Sequence, residues 1–202
     1  MDLSSVNNGV IEFSRVLSSH GFYRPLGSLD LLSHGFGDFW RHSYSSRIFA
    51  EKGTHLLASV ARHDGTTVHF RPDGKPVHNV GRSGDSLERI FNTQGLAGWL
   101  YRSSSGSHEL YDASGKLQSV VRRDGRRVLM TYSDAVTPTS IAPKEGLLIA
   151  VTDDFGRSLK FTYHNDGWMK TLTSPNGQIF DYIFDGFGAL QSMQFPDGLG
   201  QI

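Results

Sequence analysis

The chain has 202 residues, 38% hydrophobic and 11% aromatic, enough for one large all-β domain or two small units. Twenty basic and twenty acidic residues cancel, so nothing points to nucleic acid or an anionic membrane as partner. The absence of cysteine excludes disulfides, thiolate zinc sites and cysteine nucleophiles, and no apolar run approaches the ~18 residues of a transmembrane segment.

In chain order, the start Met1-Asp2-Leu3-Ser4-Ser5 has neither a basic region nor an apolar stretch, so no signal peptide is visible. Leu3, Val6, Val10, Phe13, Val16 and Leu17 recur mostly at three- and four-residue steps and predict a short helix over 3–18, ended by Gly21. Residues 1–34 therefore read as an N-terminal cap segment, and 35–202 as a β-repeat domain that is more regular from 106. Residues 35–60 read as the first strands. From there Asp64-Gly65 and Asp73-Gly74 bracket an alternating strand from Thr67 to Phe70. Asp-Gly between alternating runs is a strong hairpin signal, because glycine accepts a positive φ without steric cost. Residues 79–105 read as short strands separated by a loop.

The beat then becomes regular. Tyr111-Asp112 leads through Gly115-Lys116-Leu117 to Asp124-Gly125 and Val128-Leu129-Met130, with an insertion at 134–147. Gly156, Gly167, Gly177, Gly188 and Gly198 follow one another at 11, 10, 11 and 10 residues. Between them Leu159, Phe161 and Tyr163 alternate, as do Phe180, Tyr182 and Phe184, predicting one face of large rings and one of mixed character. The 23 glycines exceed the ~7% average share, and without a three-residue period they serve turns and not a collagen helix. Repetition at this length points to architecture.

Those residues resemble the Rhs, or YD-repeat, family. The resemblance is carried by Tyr111-Asp112 with Gly115-Lys116-Leu117, and by Asp154-Phe155-Gly156-Arg157 with Leu159, Phe161 and Tyr163. Tyr182 with Asp185 and Gly188, and Phe195-Pro196-Asp197-Gly198, extend it. Phe39-Trp40-Arg41-His42-Ser43-Tyr44 is similar to the tryptophan-bearing stretch before the repeats of such proteins. The resemblance implies antiparallel β-hairpin repeats forming a curved sheet strip. In bacterial Rhs toxins, insecticidal toxin complexes and teneurins such strips coil into a hollow shell, which in the toxins encloses a C-terminal effector. At this length the chain supplies only an arc. Pro196-Asp197-Gly198-Leu199 lacks the proline after aspartate of the family's self-cleavage motif, so no catalytic residue is carried over.

Other site readings are weaker. His63, His69 and His78 lack zinc-motif spacing, and Asp64, Asp73, Asp124, Asp166 and Asp197 fit turn caps better than a calcium repeat. Trp99 with Glu109, or Trp168 with Asp166, could be cast as a glycosidase groove, but nothing fixes a carboxylate separation. Gly81-Arg82-Ser83-Gly84 is one residue short of a nucleophile elbow, and the basic run Arg122 to Arg127 falls at a turn. No catalytic, metal-binding or cofactor-binding residue is assigned.

The expectation is a non-enzymatic, encapsulating Rhs-repeat fragment of a bacterial toxin or secretion system, without cofactors. Its edges would pair with a second copy or with a longer Rhs or toxin polypeptide. It would reside in the bacterial cytoplasm or be exported without a signal peptide, as in type VI secretion. The alternative is a self-contained module that binds glycan or protein through exposed Trp99 or Trp168; a polysaccharide-cleaving enzyme ranks third.

Overall fold

The computed structural model describes residues 11–17, 40–51, 55–77, 83–185, 189–196 and 200–201. Among these, antiparallel strands form three sheets, and no residue is helical. Strands β1 (Arg15–Leu17) and β2 (Trp40–His42) pair with each other. Strands β3 (Arg47–Ala50), β4 (Ala58–Ala61) and β5 (Thr67–Phe70) form a small meander.

The remaining eleven strands make one sheet in sequence order. Its first half is β6 (Ser86–Asn92), β7 (Gly95–Arg102), β8 (His108–Asp112), β9 (Leu117–Val121) and β10 (Arg127–Tyr132). Its second half is β11 (Leu148–Asp153), β12 (Ser158–Tyr163), β13 (Met169–Thr173), β14 (Ile179–Phe184), β15 (Leu190–Gln194) and β16 (Gly200–Gln201).

The described part of the predicted helix, residues 11–17, is extended and ends in β1; residues 3–10 and Ser18 lie outside the described residues. Ile11, Phe13 and Arg15 are buried while Glu12, Ser14 and Val16 are half-buried. That is a two-residue period, which the three- and four-residue spacing of neighbouring apolar residues had masked. The described part of 79–105, residues 83–105, also differs from expectation, while 79–82 lie outside the described residues. β6 and β7, at 7 and 8 residues, are the longest paired strands described, joined by a short turn at Gly95. Gly98 is a strand residue, and a Cβ there would meet the Tyr111 carbonyl oxygen at 2.4 Å. It marks close strand approach, not a loop.

The glycine beat is a hairpin device, seen clearly at Asp112–Lys116. Gly115 N–H donates to Asp112 O at 3.0 Å, Asp112 N–H donates to Lys116 O at 2.9 Å, and Gly115 has φ 84°. This is a type I turn closed by a left-handed bulge residue, which only glycine adopts without strain. The same bond pair recurs at Arg122–Arg126, Asp153–Arg157, His164–Trp168 and Ser174–Gln178. The insertion is the β10–β11 connection, held down where Tyr163 N–H donates to Ile141 O at 2.9 Å.

Alternation sorts the large sheet into two faces. Trp99, Tyr101, Tyr111, Val128, Leu159, Phe161, Tyr163 and Tyr182 are buried on the inner face, whereas Leu110, Leu129, Ile179 and Ile183 are exposed on the outer one. The inner face is protected because β1–β5 lie across it. Phe70 meets Tyr101 edge-on at 5.9 Å, and Phe13 meets Phe161 at 5.6 Å. The Arg15 guanidinium sits 5.7 Å from both the Trp40 and Tyr182 rings. One hydrophobic cluster contains side chains from both layers.

Candidate functional site

The strand register sets Tyr101, Glu109, Val120, Val128 and Asp153 in one row across β7 to β11. Over the first two stands Arg62, held by the β4–β5 turn where its N–H donates to Thr66 O at 2.8 Å. Arg62 Nη2 donates to Glu109 Oε1 at 2.6 Å, and Nη1 donates to Glu109 Oε2 and, at 3.3 Å, to the Tyr111 hydroxyl. The guanidinium carbon lies 4.3 Å from the Tyr101 ring centroid. Tyr111 OH donates to Glu109, and Tyr101 OH donates to Asp85, whose other oxygen accepts Ser104 N–H at 2.7 Å. All five side chains are buried.

Burial alone would raise the Glu109 carboxyl, but the Arg62 charge and the hydrogen bonds from Arg62 and Tyr111 outweigh it and hold it below the usual carboxylate range. The same burial, with the Glu109 charge beside it, pushes the Tyr111 hydroxyl well up. The result is an ionised, bidentate pair joining the two layers.

Beside this network a cavity of ≈ 350 Å³ opens between the layers. Its floor includes Leu117, Val120, Val128 and Glu109, and its upper wall Ser14, Ser43, Ser46 and Arg62. Glu12 and Arg122 face each other there at 3.8 Å.

The residues weighed from sequence fall in separate places. Trp99 is 1% exposed, with the Arg89 guanidinium 5.4 Å from its ring, and shares no open groove with Glu109. Trp168 is half-buried and stacked on Phe184 at 5.6 Å, while Asp166 accepts the Trp168 N–H at 3.1 Å. Asp64, Asp73 and Asp124 likewise each accept an N–H two residues ahead. His63 lines the cavity, and His69 Nδ1 pairs with Ser59 Oγ at 2.8 Å. His78, Gly81, Arg82 and Asp197 lie outside the described residues. Among the described residues no three His, Asp or Glu side chains converge as metal ligands would. Nor is any described helix long and apolar enough to cross a membrane.

Sequence reasoning missed the Arg62–Glu109 network. Its signal was present: in His108-Glu109-Leu110-Tyr111 a glutamate shares the inward register of a buried tyrosine, a placement that demands a cation.

The family model for the RHS Repeat matches residues 144–179, which run from the end of the insertion through β11, β12 and β13 to the first residue of β14. No curated protein matches the chain.

Proposed function

The chain is an Rhs-repeat protein, and from that premise we propose that it is a non-enzymatic structural element of a bacterial toxin or secretion system, extended by edge-to-edge pairing. Export by a type VI-like route and a part in competition between bacteria belong to the same reading. The observation that carries it is the state of the β6 edge. Among the described strands β6 pairs only with β7, and its opposite edge is covered where Leu87 N–H donates to Gly74 O at 2.9 Å. Beyond that point Phe91 is 65% and Ile90 37% exposed. Charges usually protect such edges. Here Glu88 is bonded to Arg102 and Arg89 lies over Trp99, so both charges are engaged within their own sheet.

Light scattering after size exclusion tests this reading. A stable dimer or larger assembly is expected, reverting to a 22.4 kDa monomer in Phe91→Lys. A wild-type monomer would remove the edge-pairing premise. The rival reading, a surface-binding module using Trp99 or Trp168, has less support, since the first ring is buried and the second is stacked on Phe184.

A further inference from the structure

The open stretch of the β6 edge is short, and both its ends are fixed. At one end the turn after β5 is docked on it: Leu87 N–H donates to Gly74 O at 2.9 Å, and a Cβ on Gly74 would lie 2.4 Å from the Leu87 carbonyl oxygen. At the other end β6 stops at Asn92, where the turn into β7 begins. Leu87 N–H faces away from β7, so alternation turns the main-chain groups of Arg89 and Phe91 the same way and those of Glu88, Ile90 and Asn92 toward β7. The irregularity beside Ile90 and Phe91 adds its extra residue, Ala97, to β7, so the alternation of β6 is unbroken. Among the described residues Arg89 and Phe91 meet no strand on that side. Their side chains share the inner face, with the Arg89 guanidinium 5.4 Å from the Trp99 ring, and Ile90 points to the outer face.

Two copies of so short an edge can pair in few ways, and charge sorts them. A parallel pairing in register sets Arg89 beside Arg89, and like charges directly opposite are unfavourable. Antiparallel pairings centred on Glu88 or on Arg89 also oppose like charges, and both need Leu87, whose N–H is held by Gly74. One centred on Phe91 runs into the turn beyond Asn92. Centred on Ile90, the pairing uses the whole open stretch. Arg89 of each copy then lies opposite Phe91 of the other, and the two exchange both main-chain hydrogen bonds. Their side chains face each other as guanidinium and ring, a favourable pair. On the outer face Ile90 meets Ile90, and Glu88 meets the uncharged Asn92. We propose that β6 binds β6 of a second copy, antiparallel and centred on Ile90, joining the two large sheets across a two-fold axis. The inference rests on the edge-pairing reading above and adds the partner strand and its register. Such a contact closes on itself, so it uses up the β6 edge and adds no third copy there.

The chain has no cysteine, so a single introduced thiol reports one position. Ile90→Cys, Phe91→Cys and Leu129→Cys, all at exposed positions, are oxidised in a glutathione buffer and read on non-reducing gels, beside light scattering of the unaltered chain. In the proposed register the Cα atoms at position 90 of the two copies are about 4.5 Å apart, within the ~4.4–6.8 Å that a disulfide spans. Those at position 91 are diagonal, about 7–8 Å apart, and Leu129 lies far from the edge in β10. The expected result is a covalent dimer that forms about ten-fold faster with Ile90→Cys than with either other variant, as for a prearranged pair against chance collision. Adding Phe91→Lys to Ile90→Cys should slow it, since lysine then faces Arg89 of the second copy. Melting temperatures, expected unchanged, separate a missing cross-link from a misfolded variant. Assembly in light scattering with no preference for Ile90→Cys would overturn the register and leave edge pairing standing. A Phe91→Cys dimer that forms as fast would do the same. A monomer that cross-links at none of the three positions would overturn both readings.

Discussion

Glu109 joins the two layers through a charged contact. It is buried, accepts both guanidinium nitrogens of Arg62, and takes the Tyr111 hydroxyl as well. Replacing it by glutamine leaves Arg62 charged in a buried setting, and losing one partner of such a pair costs about 3–5 kcal/mol. The expected result for Glu109→Gln is a loss at the lower end of that range at pH 7, measured by urea unfolding. The pH dependence has a fixed sign. Its folded pKa lies below the unfolded carboxylate value of ~4.3, so the stabilisation is complete above that value and is lost as pH falls through the folded one. The gap between wild type and Glu109→Gln should therefore be widest at neutral pH and narrow below pH ~4.3. A gap that does not change with pH would mean the carboxylate is not what stabilises the site. Here the sequence was half legible: the inward register of Glu109 could be read from Tyr111 two residues on. Its partner could not, because Arg62 comes from a different sheet, and no local pattern records which turn will lie above it.

Elements were more legible than their docking. Strand alternation and the glycine beat are local, since a bulge residue at positive φ is demanded by the hairpin itself, and the beat appears where the pattern set it at Gly156, Gly167 and Gly177; Gly188 and Gly198 lie outside the described residues. The helix expected over 3–18 failed in its described part because the segment is short and apolar at mixed spacings; burial against Phe161 selects the two-residue period of Ile11, Phe13 and Arg15. Nor does turn grammar separate one hairpin tip from another. Gly115 and Gly177 have φ of 84° and 83° and sit in the same kind of turn. A Cβ at Gly177 would meet nothing within 4 Å, whereas at Gly115 it would lie 1.9 Å from the Ile48 carbonyl oxygen. At that tip Ile48 N–H donates to Gly115 O at 2.9 Å, so β3 of the small meander is bonded directly to the β8–β9 turn. Gly177→Ala should cost only the left-handed backbone penalty of ~1–2 kcal/mol. Gly115→Ala must also push β3 away, and an additional loss of about 2 kcal/mol is expected in denaturant unfolding. Equal losses at the two sites would mean that the β3 contact contributes nothing.

At the scale of the molecule, the covering layer changes what kind of repeat protein this is. In a simple solenoid each unit touches only its neighbours, and stability can be lost unit by unit. Here elements distant in sequence cross many repeats at once: Arg62 bonds to β8 and lies on a β7 ring, Phe13 packs on β12, and Arg15 lies over the Tyr182 ring of β14. The layer and the repeats also share one hydrophobic cluster, so neither can leave without exposing the other's buried rings. Cooperative opening follows. In native-state hydrogen exchange the amides of Ile48 and Leu57 in the small meander should open with the same free energy as the central amides of β11 and β12. Far-UV circular dichroism and tryptophan fluorescence should then trace a single coincident transition in urea. If the meander amides exchanged first, with a separate and smaller free energy, the layer would be a detachable cover and the repeats a self-sufficient sheet. The buried ion pair and the Gly115 contact would then be docking features and not part of the common core.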